Sequence, residues 1–256
     1  MKRRRIIYGG GSSWDPIYID GYVQDGLVFH LDGINTGSDA EKQWIDLIGG
    51  TPFTLIGNCA KAANYVNFPN GSVWSYAIAD KTCLDDLDLT NCTVEVVYKV
   101  DGFSNSARKH YPIFFAGFAT DSLDGHIGLF GQHYNYHQFS FVPSSTQNKR
   151  WLLQPTDIDI NNDVIRASLS PTIGIINGIT AQPTGNKVNV YHTANATVGA
   201  ILNYSEREGI WNYRDQFIGK IYSIRVYNRC LTQNEISQNV NRDNIRFGFV
   251  TTVDDR

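Results

Sequence analysis

Two short stretches of this chain gather the side chains best suited to chemistry. In "GQHYNYHQF", His133 and His137 flank Tyr134 and Tyr136; in "GIWNYRD", Trp211 and Tyr213 precede Arg214. On an extended backbone His133 and His137 share a face and could form part of a metal pair. A zinc site needs three or four protein ligands, and no third stands nearby. Strand histidines are the plainer reading. Flat rings such as Tyr134, Tyr136, Trp211 and Tyr213, with His137 and Arg214 beside them, suit a sugar ring or a partner surface. Core packing is the competing role for each ring. "GIWNYRD" reads as a loop that precedes the last strands.

The carboxylates point away from catalysis. Retaining glycoside hydrolysis needs two carboxyl groups about 5 Å apart. Glu206 and Glu208 in "SEREGIW" would share a face if extended, but they lie beside a turn and lack a third acid. Aspartates cluster as Asp85, Asp86 and Asp88 in "LDDLDL", Asp121 and Asp124 in "DSLDG", and Asp157, Asp159 and Asp163 in "DIDINND". Hard oxygen ligands of this kind suit Ca²⁺. None of the clusters has EF-hand spacing, and Asp is also an ordinary turn former. No cofactor is expected, apart from a structural Ca²⁺ that these clusters leave open.

Short strands must position these residues. The 256-residue chain is 12% aromatic, with 23 glycines and one methionine, a bias toward pleated surfaces and tight turns. The first strand lies within "GLVFHLDGI" (26–34), followed by a loop with one helical turn at 40–44. Strand-like runs recur as "TPFTLIG", "NYVNFPNG", "SVWSYAIA", "CTVEVVYKVDG", "YPIFFAGFA", "HIGLFGQ", "HQFSFVP", "DVIRASLS", "TIGIING", "KVNVYHTA" and "GAILNY". Each is bounded by Gly, Asn, Asp, Pro or Ser, the pattern of a sandwich. Twelve or more strands with one helix predict an all-β, two-sheet antiparallel jelly roll. The helix begins at the capping box Thr232-Gln233-Asn234-Glu235, runs to about Asn241 along Ile236, Val240 and Ile245, and is followed by a closing strand, "RFGF".

Residues 1–13 read as a basic, Gly/Ser-rich arm and 14–256 as one domain. The formal net charge is −3, and Lys2, Arg3, Arg4 and Arg5 supply four positive charges, which leaves −7 for the rest. An acidic body disfavours nucleic-acid binding. Only Ile6, Ile7 and Tyr8 separate the basic start from Gly9-Gly10-Gly11, too few for a signal peptide, and no run is long enough to span a membrane. Cys59, Cys83, Cys92 and Cys230 show no C-x-x-C spacing and are expected as free thiols.

The stretch "FIGKIYSIRVYNRCLTQNEISQNVNRDNIRF" resembles the C-terminal signature of LamG-like domains in the concanavalin A-like jelly-roll superfamily. Phe217, Gly219, Ile221, Ile224, Arg225, Tyr227, Arg229, Leu231, Thr232, Glu235, Ile236 and Asn239 carry the likeness. Trp44, Asp46, Leu47 and Gly49 resemble the W-x-D-L-x-G loop after that family's first strand. The basic start, the Gly/Ser hinge and a LamG-like body are similar to LamG-like virion proteins of phages and prophages of gut Bacteroidetes. That resemblance implies a non-enzymatic virion structural protein, a head fibre, decoration or tail component made in the host cytoplasm. Lys2, Arg3, Arg4 and Arg5 would anchor it to other virion proteins, and the jelly roll, as part of a homo-oligomer, would face a host-surface glycan. A cell-surface carbohydrate-binding or adhesion module is the alternative. A glycan hydrolase or lyase is the reading the carboxylates support least.

Overall fold

The computed structural model describes residues 21–36, 42–79, 83–84, 87–88, 90–103, 110–117, 126–133, 137–141, 149–153, 163–184, 196–205 and 210–249. The elements in chain order are β1 (Leu27–Asp32), β2 (Gln43–Ile45), β3 (Pro52–Ile56), β4 (Ala60–Lys61), β5 (Val66–Phe68), β6 (Tyr76–Ile78), β7 (Thr93–Phe103), β8 (His110–Gly117) and β9 (His126–His133). They continue as β10 (His137–Phe141), β11 (Lys149–Leu153), β12 (Ile165–Leu169), β13 (Gly174–Ile176), β14 (Ile179–Thr180), β15 (Gln182–Thr184), β16 (Thr197–Val198), β17 (Ala200–Ser205), β18 (Ile210–Tyr227) and α1 (Gln233–Phe247).

Two antiparallel sheets form a sandwich. The first runs β14-β13-β12-β7-β18-β5-β4, with β1 and β17 also paired to β18; the second runs β15-β11-β10-β9-β8-β16-β6-β3-β2. Between them lies a core that includes Phe29, Trp44, Phe53, Phe68, Phe114 and Phe217. On β7 the alternate residues Val94, Val96, Tyr98 and Val100 point into it, as the two-residue period of a half-buried strand requires.

β18 is the organising strand, and its register explains an oddity of the sequence. Phe217 and Ile221 face the core, but the next core residues are Ile224 and Val226, a jump in parity. Opposite Tyr98 and Val97 of β7 stand Ile221 and Ser223, so one extra residue is inserted there. That β-bulge returns the strand's apolar side to the core. Gly219 is required by crowding: a Cβ there would lie 2.1 Å from the Lys99 carbonyl oxygen.

The capping box forms as read. Thr232 N–H donates to Glu235 Oε2 at 2.8 Å, and Glu235 N–H donates to Thr232 Oγ1 at 3.3 Å. The helix, however, passes Asn241 and absorbs the expected closing strand, ending at Phe247 with Gly248 in the left-handed region at φ 70°. Its buried face is Ile236, Asn239, Asp243 and Phe247, helical spacing carried by two polar residues. Ile245, read as part of the apolar stripe, is 74% exposed. The turn expected at 40–44 is also corrected: Gln43–Ile45 is β2, paired to β3, and Trp44 is buried on it.

Candidate ligand-binding site

Strand register places several candidate segments at one end of the sandwich. β8 begins there at His110, opposite Gln132 of β9. One residue further, His133 stands directly across from His137 of β10, so the two histidines sit on neighbouring strands rather than on one. β7 reaches the same end at Phe103, opposite Phe217 of β18. β17 and β18 form a hairpin that continues past Phe217 toward that end, with Tyr204 opposite Trp211, Leu202 opposite Tyr213 and Ile201 opposite Arg214. Trp211, Tyr213 and Arg214 are therefore strand residues, not loop residues. They were misread because Asn212, Arg214 and Asp215 look like turn chemistry. A hairpin running beyond the two-sheet core tolerates such residues.

The same end holds an aromatic residue that the sequence reading missed. β5 of the first sheet and β6 of the second are joined by residues 69–75, within which Val73 is 51% and Trp74 39% exposed. Both ends of this crossing are braced. Gln216 Nε2 of β18 donates to the Pro69 carbonyl at 3.2 Å, and Asn58 N–H donates to Ser75 Oγ at 3.2 Å. Gly57 lies so close that a Cβ would fall 2.1 Å from the Trp74 carbonyl oxygen. Trp74 is thus an exposed ring on a fixed backbone. Read from sequence, it belonged to a strand, "SVWSYAIA"; the turn formers Pro69, Asn70, Gly71 and Ser72 just before it were the signal to the contrary. From Gln216, Trp211 is five residues back along β18, roughly 17 Å at strand rise.

Tyr134, Tyr136, Asp85, Asp86, Asp121, Asp124, Asp157, Asp159, Glu206, Glu208 and the basic residues Lys2, Arg3, Arg4 and Arg5 lie outside the described residues, as does "KVNVYHTA". Asp88 is described: its Oδ1 accepts from Thr90 N–H at 2.9 Å and Thr90 Oγ1 at 2.7 Å, and these bonds hold its carboxyl below the usual range. That is turn chemistry. Among the described residues no group of three or more His, Cys, Asp or Glu could hold a metal ion. Cys59, Cys83, Cys92 and Cys230 are free thiols.

The densest set of ionisable groups lies elsewhere, between the outer face of the first sheet and α1. Arg225 donates to both carboxylate oxygens of Asp243 at 2.7 Å and to Glu95 Oε2 at 2.9 Å, and its guanidinium carbon lies 4.4 Å from the Tyr22 ring centroid. Asn239 donates to Glu95 at 2.8 Å and to the Tyr227 hydroxyl at 2.9 Å. Arg246 pairs with Asp32 at 2.7 Å. Ser223 Oγ stands 3.2 Å from His30 Nε2, and Asp32 Oδ2 lies 3.6 Å from the same nitrogen. A Ser–His–Asp relay needs opposite ring nitrogens for its two partners. Here both face Nε2, all three residues are buried, and burial pushes His30 down to about 3. The cluster is a lock, not a catalytic site.

The motif residues near the start are equally structural. Trp44 Nε1 donates to the Asp32 carbonyl at 2.9 Å. Asp46 accepts backbone N–H bonds from His30 at 2.8 Å, Ile48 at 3.1 Å and Gly49 at 2.7 Å, fixing the loop to β1. Burial nonetheless pushes its carboxyl up to about 6 against those three amides.

No family model matches the chain, and no curated protein matches it. Solved structures share the fold. Trypanosoma rangeli sialidase in complex with a difluorinated nononic acid superposes with a TM-score of 0.54 at 14% identity, over 88% of this chain and 34% of that one. Botulinum neurotoxin type C gives 0.55 at 11% identity, over 85% of this chain and 51% of the other. Domain 4 of AbnA, a GH43 extracellular arabinanase from Geobacillus stearothermophilus, gives 0.53 at 16% identity, over 82% of this chain and 96% of the domain. The chain spans about a third of the sialidase structure and half of the neurotoxin structure. The likeness in all three is one of architecture: a two-sheet antiparallel β-sandwich.

Proposed function

We propose that the chain is a non-catalytic glycan-binding or adhesion module whose ligand meets the Trp74 end of the sandwich. The observation that carries the reading is Trp74: 39% exposed, braced on both sides, and at the end where the β17–β18 and β9–β10 hairpins emerge. A flat ring held on a rigid backbone offers stacking area with little ordering cost. Two neighbours in fold lend support. The AbnA domain was solved with arabinotriose, and cell entry of the neurotoxin depends on two ganglioside molecules. The test is a glycan array of the full chain beside Trp74→Ala and Trp211→Ala. The reading expects saccharide hits that both variants lose while their thermal melts stay unchanged. An array with no hits, or hits indifferent to both rings, defeats it.

The wider setting we propose is a virion, with Lys2, Arg3, Arg4 and Arg5 anchoring the module to other structural proteins. The basic, Gly/Ser-rich opening of the sequence supports it. A chain lacking residues 1–13 should fold and keep its ligand yet fail to enter its particle. Turnover of a polysaccharide abolished by Glu206→Gln would instead favour a hydrolase or lyase.

A further inference from the structure

α1 and the β12–β14 edge of the first sheet border a groove of about 780 Å³ on the outer face, remote from the core between the sheets. That is the size of a small-ligand site. Apolar Ile175, Ile236 and Val240 line it together with the amide side chains of Asn177, Gln233 and Asn241. Arg166 of β12 also faces it, and its bonding differs from that of Arg225, Arg229 and Arg246. Arg225 is held by Glu95 and Asp243, Arg229 by Asp25 and Glu235, and Arg246 by Asp32.

Among the described residues, Arg166 has no carboxylate within ion-pair distance. Its Nη2 donates to Asn244 Oδ1 at 2.7 Å, and its guanidinium carbon sits 4.8 Å from the Phe249 ring centroid. Its Nε is buried and has no partner. A guanidinium carries five donors, and beyond the bond to Asn244 the buried Nε–H of this one is unmatched. A half-buried cation is costly unless an anion meets it. Burial holds Arg166 below the ordinary arginine range, in keeping with that cost.

We propose that this groove binds a carboxylate-bearing sugar, a uronic acid unit whose carboxylate meets Arg166 and whose hydroxyls meet the amides. The charge of the lining selects the ligand. Arg166 is its one cation, and Asp163 stands at the rim, so a single negative charge is matched and a phosphate dianion is not. On the helix wall the amides of Gln233 and Asn241 can donate and accept, as ring hydroxyls do, while the Asn177 amide is bonded to the Arg166 and Val164 backbone. The apolar residues between them suit the C–H face of a sugar ring. This site is separate from Trp74 and stands or falls without it.

The experiment is calorimetric titration of the full chain with sodium galacturonate and its disaccharide. Galactose, inorganic phosphate and N-acetylglutamate form the comparison arms. Uronate should bind the wild type and Trp74→Ala equally, weaken at least tenfold in Arg166→Gln, and weaken less in Arg166→Lys. Val240→Trp, which fills the groove from the helix side, should abolish binding while the melt stays cooperative; it carries the test if Arg166→Gln fails to fold. No uronate binding overturns the proposal, as does binding indifferent to Arg166 and Val240. Equal binding of galactose, phosphate or N-acetylglutamate overturns it too, because each removes either the carboxylate or the sugar from the recognition.

Discussion

Two surfaces of this sandwich use aromatic and charged residues on opposite terms. Under α1, Tyr22, Tyr227, Arg225, Asp243 and Glu95 are buried, and their hydrogen bonds run between segments far apart in sequence. At the other site, Trp74 is exposed and its loop is held at either side by a hydrogen bond between a side chain and a backbone group. Polar groups in the first place stabilise only as a set, since each would be an uncompensated burial without its partner. In the second, the ring is 39% exposed and open to a ligand. Of the motif residues that carry the LamG-like resemblance, Arg225, Tyr227 and Asn239 belong to the first, while Phe217, Ile221, Ile224 and Trp44 lie in the core between the sheets. They report on how the chain folds and leave its ligand open.

The largest effect should come from breaking that set. Asp243→Ala leaves the Arg225 guanidinium without its two-pronged acceptor and the Tyr22 hydroxyl without its own, in a site 2% exposed or less. Removing one partner of a buried pair costs about 3–5 kcal/mol, a large share of the ~5–15 kcal/mol that holds a domain folded. Urea denaturation should show a clear fall in midpoint. Asp243→Leu combined with Arg225→Met and Glu95→Gln should cost less than Asp243→Ala alone, because no charge is then stranded, Glu95 being the second carboxylate that Arg225 holds. If the triple variant is the worse of the two, the network is more than charge compensation.

How far the sequence could be read follows the same division. The capping box at Thr232 and Glu235 was legible because it is local, four residues whose groups satisfy one another. Gly219 was legible because a strand glycine so often marks a close backbone. The last two turns of α1 were not, because Asn239 and Asp243 look solvent-facing until Glu95 and Arg225, more than a hundred residues away or across a sheet, supply partners. β11, "KRWLL", opens with two cations and hides its alternation. The bulge at Tyr222 and Ser223 was visible only as an irregular gap between Ile221 and Ile224. Trp74 was taken for a strand residue because apolar neighbours outweighed the turn formers before it. Trp211, read in a loop, stands on β18 in the hairpin at the Trp74 end of the sandwich.

A smaller effect should appear with acid at the helix start. Bonds from Arg229, and from the Thr232 backbone and hydroxyl, hold the Glu235 carboxyl down to about 2, below its ordinary 4.5. A carboxyl with a depressed folded value adds stability that is fully present above its unfolded value and lost as pH falls through the folded one. The window is therefore pH 4.5 down to 2. Glu235→Gln should flatten the pH dependence of thermal melting in that window. Thr232→Ala should cost about 1 kcal/mol at neutral pH, as lost N-caps do. A melt with the wild type's acid slope in Glu235→Gln would assign that slope to the buried Asp32–Arg246 pair instead.

The smallest expected effect is the most informative about function. Trp74→Ala removes a ring that is 39% exposed and leaves the hydrogen bonds at Ser75 and Pro69 untouched. Surface substitutions usually shift stability by about 0.5 kcal/mol or less, and this variant should melt close to the wild type. Gly57→Ala is its counterpart. The alanine Cβ would meet the Trp74 carbonyl oxygen at 2.1 Å from a backbone at φ 69°, so the loop must move although the ring survives. The two variants therefore separate the ring from its placement. Saccharide binding lost in both, with Trp74→Ala melting as the wild type does, would show that the fixed position of the indole is what the ligand uses. Binding kept in Gly57→Ala and lost in Trp74→Ala would reduce the requirement to an aromatic ring at that end of the sandwich. Destabilisation of Trp74→Ala by several kcal/mol would move Trp74 to the other side of the comparison, among the residues that hold the fold.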